Sequence, residues 1–136
     1  MKRRIFLAST AAFALARPSF AATGQDYRDG LVDEELAAGK TVFLDFYTDW
    51  CSTCRSQGKT IRALLDENPA YEANISFIRI DWDKHSESDL ASWLNIPRRS
   101  TLVVLKGEDE LGRIVAGTVK ADIKALLDTA LAAATA

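Results

Sequence analysis

The sequence predicts an α/β fold: a three-layer sandwich in which a central mixed sheet of about four strands is flanked by helices on both faces. Three observations lead there. Short apolar, β-rich runs alternate with stretches of helical periodicity, which implies parallel strands joined by right-handed crossovers. The run Thr41–Tyr47 is apolar at nearly every position, as suits a strand covered on both faces. The turn at Gly107–Glu110 joins the last two runs so tightly that they must pair antiparallel.

Each element follows from its residues. Residues 22–26 are a polar lead. Tyr27–Ala38 presents Tyr27, Leu31, Leu36 and Ala37 to one helical face and ends at Gly39. After the strand Thr41–Tyr47, a helix from Cys51 to about Asn68 carries Ile61, Leu64 and Leu65 as its inner stripe, and Pro69 stops it. Ile75–Ile80 is a second buried strand, and Ser86–Leu94 a short helix with a serine cap. Thr101–Leu105 is the third strand and Leu111–Ala116 the fourth. Lys120–Ala132 is the last helix, with Ala130–Ala136 as its fraying end. No internal repeat or low-complexity linker interrupts this order, and 136 residues suit one compact domain.

The first residues stand apart from that domain. Lys2, Arg3 and Arg4 precede an apolar run from Ile5 to Ala16, and Ser19 and Ala21 supply small residues at its end. This describes a secretory leader over residues 1–21, cleaved after Ala21, with the domain over 22–136. The apolar run falls short of the roughly 20 residues a membrane span needs. The Arg3-Arg4 pair fits a twin-arginine signal as well as an ordinary Sec signal. Either route leads to the periplasm. Losing the leader lowers the basic count from 17 to 13 against 19 acidic residues, a net charge of −6. Such a domain does not attract nucleic acid or anionic lipid, so other proteins are the expected partners. A monomer is expected.

Chemistry concentrates at the two cysteines, in Asp49-Trp50-Cys51-Ser52-Thr53-Cys54. The pair lies where a buried strand gives way to a helix, and unpaired N–H groups at a helix start lower a thiol's pKa. A permanent disulfide over so small a ring constrains little of the unfolded chain. A structural zinc site wants four ligands, and His85 is the lone histidine; it receives no role, and no metal or cofactor is expected. Copper transfer needs fewer ligands and stays open as an alternative use of the dithiol. Asp45 lies mid-strand among apolar neighbours, where burial raises a carboxyl's pKa, unless the side chain reaches water.

A strand ending in Asp45-Phe46-Tyr47-Thr48-Asp49-Trp50-Cys51-x-x-Cys54, followed after helix, strand and helix by Ser100-Thr101-Leu102-Val103-Val104-Leu105-Lys106-Gly107, resembles the thioredoxin superfamily. The resemblance spans residues 27–132 and is greatest to the C-terminal thioredoxin-like domain of bacterial thiol:disulfide interchange reductases. It implies a redox-active dithiol in which an exposed Cys51 attacks and a more buried Cys54 resolves the mixed disulfide. It gives Asp45 the task of moving protons to and from the buried thiol. The family's neighbouring lysine aligns with Phe77, so Asp45 is expected to lack a counter-charge and stay protonated near neutrality. Trp50 covers one side of the dithiol, with Tyr47 and Asp49 at the rim.

The family's cis-proline aligns with Ser100; placing Pro97 there demands a three-residue insertion. That loop meets the substrate's extended chain in the family, which makes Trp50, Arg99, Ser100 and Thr101 the expected substrate-binding residues. Arg98 and Arg99 bring positive charge, with Arg99 placed to stabilise a Cys51 thiolate. The implied function is a periplasmic thiol:disulfide oxidoreductase acting on protein disulfides, as a reductant supplied by a membrane electron donor. The alternative is a copper metallochaperone or assembly factor.

Overall fold

The computed structural model describes residues 24–136, so the expected leader and its cleavage point lie outside the described residues. The described chain runs β1 (Gln25–Asp26), α1 (Leu31–Ala37), β2 (Thr41–Tyr47), α2 (Ser52–Glu67), α3 (Ala70–Asn74), β3 (Ser76–Asp81), α4 (Trp82–His85), α5 (Asp89–Trp93), β4 (Thr101–Lys106), β5 (Asp109–Val115) and α6 (Lys120–Ala134). Its sheet has the order β1-β3-β2-β4-β5. β1, β3 and β2 pair in parallel, while β4 and β5 are antiparallel additions. Among the described residues no helix is long and apolar enough to cross a membrane.

The mixed sheet sandwiched between helices is as expected, with five strands rather than about four. The additional strand, β1, has two exposed residues and therefore no apolar alternation to reveal it. Its ladder continues through Tyr27, whose N–H donates to the Arg79 carbonyl. Tyr27 therefore belongs to the strand side of the junction, and α1 begins only after Gly30, at φ 85°. The expected helix Ser86–Leu94 starts later, as α5 at Asp89, and a separate short helix, α4, precedes it. Asp81 caps α4 by accepting from the Asp83 N–H, and Ser88 caps α5 by accepting from Ala91. The start of α5 is thus set by the Ser88 cap rather than by Ser86. Beyond Pro69 the chain turns into α3, which buries Tyr71.

Period-two alternation in β2 sorts its side chains between two cores. Val42, Leu44 and Phe46 join Ile78, Ile80, Val103 and Leu105 against α1 and α5. Phe43 faces the other way, with Phe77, Leu102 and Val104, against Ile61, Leu64 and Leu65 of α2 and Ile123, Leu126 and Leu127 of α6. Both faces of β2 are thus covered, which is why nearly every residue in it is apolar. Replacing Leu127, fully buried, by alanine is expected to lower unfolding stability by about 2–5 kcal/mol. Val119→Ala, at a largely exposed position, is expected to stay within about 0.5 kcal/mol. Urea titration of the two variants checks the contrast.

Candidate active site

The site is assembled where β2 stops. The chain leaves the sheet at Tyr47, and the Cys51 N–H donates to the Thr48 carbonyl. Cys51 then caps α2, its sulfur accepting from the Cys54 N–H at 3.2 Å. One turn in, Cys54 lies on the buried stripe of α2 that continues through Gln57, Ile61, Leu64 and Leu65. Both cysteines are free thiols. Contrary to expectation Cys51 is not exposed: it is 4% accessible and Cys54 6%. Trp50, 59% exposed, forms the outer surface beside it. The indole N–H donates to Asp83 at 2.8 Å, and the Arg99 guanidinium stacks on the ring at 4.3 Å.

Ser100 reaches the dithiol because it extends two ladders by one rung. β4 pairs with β2 through Thr101 and Phe46, and the Ser100 N–H donates to the Phe46 carbonyl at 2.7 Å. On its other side the Ser100 carbonyl accepts from Ala116 at 2.8 Å, just past the Thr101–Val115 pair. The Ser100 hydroxyl then stands 3.2 Å from the Cys51 sulfur and 2.9 Å from the Cys54 sulfur. Among the described residues every peptide bond is trans, the one joining Arg99 to Ser100 included, and Ser100 adopts φ 62°.

Expected to meet substrate, Ser100 and Thr101 are both fully buried. Neither is presented at the surface. The Ser100 backbone is engaged within the chain, and the Thr101 hydroxyl donates to the Arg98 carbonyl. Trp50 and Arg99 remain at the rim. Tyr47 is half-buried under the Arg79 guanidinium, 3.9 Å from its ring centre. Asp49 is exposed there, its carbonyl accepting from Arg55. His85 packs edge-on against Tyr27.

Electrostatics separate the two sulfurs. Burial pushes the Cys51 thiol up, but hydrogen bonds from Cys54, Ser100, the Cys54 N–H and Arg99 together bring it down to about 6. Burial and the hydrogen bond with Cys51 push Cys54 up. Deprotonation therefore starts at Cys51.

Asp45 points to the α2 side of the sheet, where a cavity of about 10 Å³ is lined by Phe43, Asp45, Ile61, Phe77 and Ile78. One carboxyl oxygen is buried without a hydrogen-bond partner. Burial raises this carboxyl from 3.8 to about 6, against the lowering field of Arg79 and with a smaller rise from Cys51. Phe77 does occupy the α2 side, but Arg79 is the residue in register with Asp45. A counter-charge is therefore present, and Asp45 is mainly ionised at pH 7 rather than protonated.

Gln57 was not legible as a site residue. Fully buried, its amide donates to the Ser100 carbonyl at 3.0 Å and to the Gly117 carbonyl at 2.9 Å. A polar residue at i+3 from Cys54 on an otherwise apolar stripe was the signal. A separate cleft of about 570 Å³, lined by Tyr27, Asp33, Asp89 and Trp93 among others, includes neither sulfur. Among the described residues no group of three His, Cys, Asp or Glu side chains is arranged to hold a metal.

Known proteins place this geometry. The thioredoxin family model matches residues 22–129. The mitochondrial thioredoxin-2 of Schizosaccharomyces pombe is 32% identical over 91 residues, covering 67% of this chain and 64% of that one. The thiol:disulfide interchange protein DsbD 2 of Pseudomonas aeruginosa is 31% identical over 98 residues, 66% of this chain but 16% of its own length. This chain thus spans less than two thirds of either relative. Among solved structures, Trxlp of Edwardsiella tarda superposes with a TM-score of 0.65 at 23% identity, over 76% of this chain and 98% of that one. A matching family model over most of the domain, with the Cys51–Cys54 pair at the start of α2, means that the chain belongs to the thioredoxin family.

Proposed function

We propose that the protein is an exported, monomeric reductant of protein disulfides in the periplasm, recharged by a membrane electron donor. The observation that carries the chemistry is the asymmetry of the dithiol: a Cys51 thiol brought down to about 6 beside a Cys54 thiol pushed up. Cys51 thiolate attacks one sulfur of a substrate disulfide, and the substrate's other sulfur leaves with the electron pair. Cys54 then attacks Cys51, closing the intramolecular disulfide and releasing the second substrate sulfur. Two electrons pass to the substrate. Likeness to the interchange protein supports the reductant direction and the membrane donor, and the basic and apolar start of the sequence supports export.

Access requires the Trp50–Arg99 pair to move, because Cys51 is covered in the reduced protein. Both residues then border the partner chain. Asp45 serves as the proton acceptor behind the dithiol: its carboxyl titrates close to pH 6, so it takes the Cys54 proton when that raised thiol must become a thiolate.

The reading is tested by insulin reduction together with the equilibrium potential against glutathione. Catalysed precipitation of insulin and a potential near the thioredoxin value of about −270 mV are expected. A value near −120 mV, the oxidant end of the range, overturns the direction. Stoichiometric copper(I) binding with no insulin reduction overturns it in favour of a metallochaperone. For the export component, amino-terminal sequencing of the periplasmic protein is expected to begin at Ala22.

Iodoacetamide alkylation of the reduced protein is expected to titrate with a midpoint near pH 6, to vanish in Cys51→Ser and to persist in Cys54→Ser. Asp45 adds a second pH dependence. Its carboxyl is raised in the folded state, so the protonated form is favoured there. Its stabilising contribution is complete below pH 3.8 and is lost as pH rises through about 6, on the order of 3 kcal/mol in all. Asp45→Asn is expected to flatten that decline in urea titrations, and to slow resolution of a mixed disulfide by on the order of 10²-fold.

A further inference from the structure

Ser100 carries an unusual combination. It is fully buried, yet it holds a left-handed φ of 62°, which is strained for a non-glycine residue. Ala116, whose N–H donates to the Ser100 carbonyl, is also left-handed, at φ 60°. Two strained residues joined by one hydrogen bond persist only where their surroundings over-determine them. Here the surroundings are the Phe46 carbonyl, which holds the Ser100 N–H, and the buried Gln57 amide, which ties the Ser100 and Gly117 carbonyls together. All of these contacts spend the Ser100 backbone and leave its hydroxyl for the sulfurs.

We propose that the Ser100 hydroxyl is a catalytic group that follows the negative charge from one sulfur to the other, with Gln57 as its positioning residue. The proposal deepens the disulfide-exchange reading and rests on it. The hydroxyl has one hydrogen and two sulfurs within reach, at 3.2 and 2.9 Å, so it donates to only one at a time. In the resting dithiol it donates to the Cys51 thiolate and accepts the hydrogen of the Cys54 thiol. When Cys51 attacks, a Cys51–substrate bond forms, the substrate disulfide breaks, and the charge leaves on the released substrate sulfur. The hydroxyl is then free to turn its hydrogen to Cys54. As the Cys54 proton passes to the Asp45 carboxylate, which hands it on to the released substrate sulfur, the hydroxyl holds the new Cys54 thiolate. That thiolate attacks Cys51, forming the Cys51–Cys54 bond and expelling the second substrate sulfur as a thiolate. The substrate gains the two electrons the dithiol loses.

The test is the pH profile of Cys51 alkylation in wild type, Ser100→Ala and Ser100→Gly. Alanine keeps the backbone strain without the hydroxyl, and glycine removes both. Both midpoints are expected to rise by about one to two pH units, and resolution of a mixed disulfide is expected to slow about tenfold or more in both. An unchanged midpoint in Ser100→Gly overturns the proposal, since the Cys51 charge is then held just as well without the hydroxyl. Gln57→Met is expected to move the midpoint the same way by a smaller amount, and an unmoved profile removes Gln57 from the device. Should the Ser100 variants not fold, the infrared S–H band of wild-type Cys54 decides: a band lowered by hydrogen bonding is expected, and an unshifted one overturns the proposal. Small-molecule alkylation needs no protein substrate. A shifted midpoint without insulin reduction therefore defeats the reductase reading alone.

Discussion

The backbone of Ser100 is the meeting point of two ladders, and the surroundings of the dithiol depend on it. Its N–H completes the pairing of β4 with β2, and its carbonyl completes the pairing of β4 with β5. Because β2 ends where α2 begins, one extra rung on the β4 side delivers a side chain to the helix start that holds Cys51. The sheet thereby converts pairing register, which is strongly specified in a strand covered on both faces, into a hydroxyl 3 Å or so from two sulfurs. Gln57 closes the arrangement from the helix side. Without these ties the left-handed conformation at residue 100 has nothing to hold it.

Burial opposes charge throughout the site, and hydrogen bonding decides where charge is nonetheless held. Both cysteines have little exposed surface, so exposure alone does not separate them. The donors aimed at Cys51 do: the N–H one turn along the helix, the serine hydroxyl, the neighbouring thiol and Arg99. Asp45 lacks such donors, and burial raises it until the Arg79 field limits the rise. Cys51 and Asp45 consequently titrate in the same range, and the Cys51 charge adds to the rise at Asp45. The outer surface is built differently. Trp50 is pinned by Asp83 on one side and Arg99 on the other, a surface made of one hydrogen bond and one stacking contact.

Much of the fold was legible because its signals are local. β2 announced itself through continuous apolar composition, α2 and α6 through helical periodicity, and the β4–β5 hairpin through its turn. β1 was not legible, because two exposed residues carry no pattern; only β3's open edge makes them a strand. The late start of α5 and the separate α4 before it turned on which polar side chains cap which N–H groups, Ser88 and Asp81 rather than Ser86. Of the site, Cys51, Cys54 and Asp45 could be found by spacing and by a charge out of place. Gln57 and Arg79 could not, since their importance comes from what lies across the sheet or beneath the loop.

Residue order along one strand and one helix was enough to bring two thiols to a helix start and a carboxyl into the strand before it. Such placements follow from period and capping, which are properties of short stretches. Folding decided the rest. Cys51 became covered, Asp45 acquired a counter-charge, and Ser100 turned its backbone inward and its hydroxyl to the sulfurs. Each of these outcomes depends on register between segments some 30 to 60 residues apart in the chain, and register is settled only when both faces of the sheet are packed.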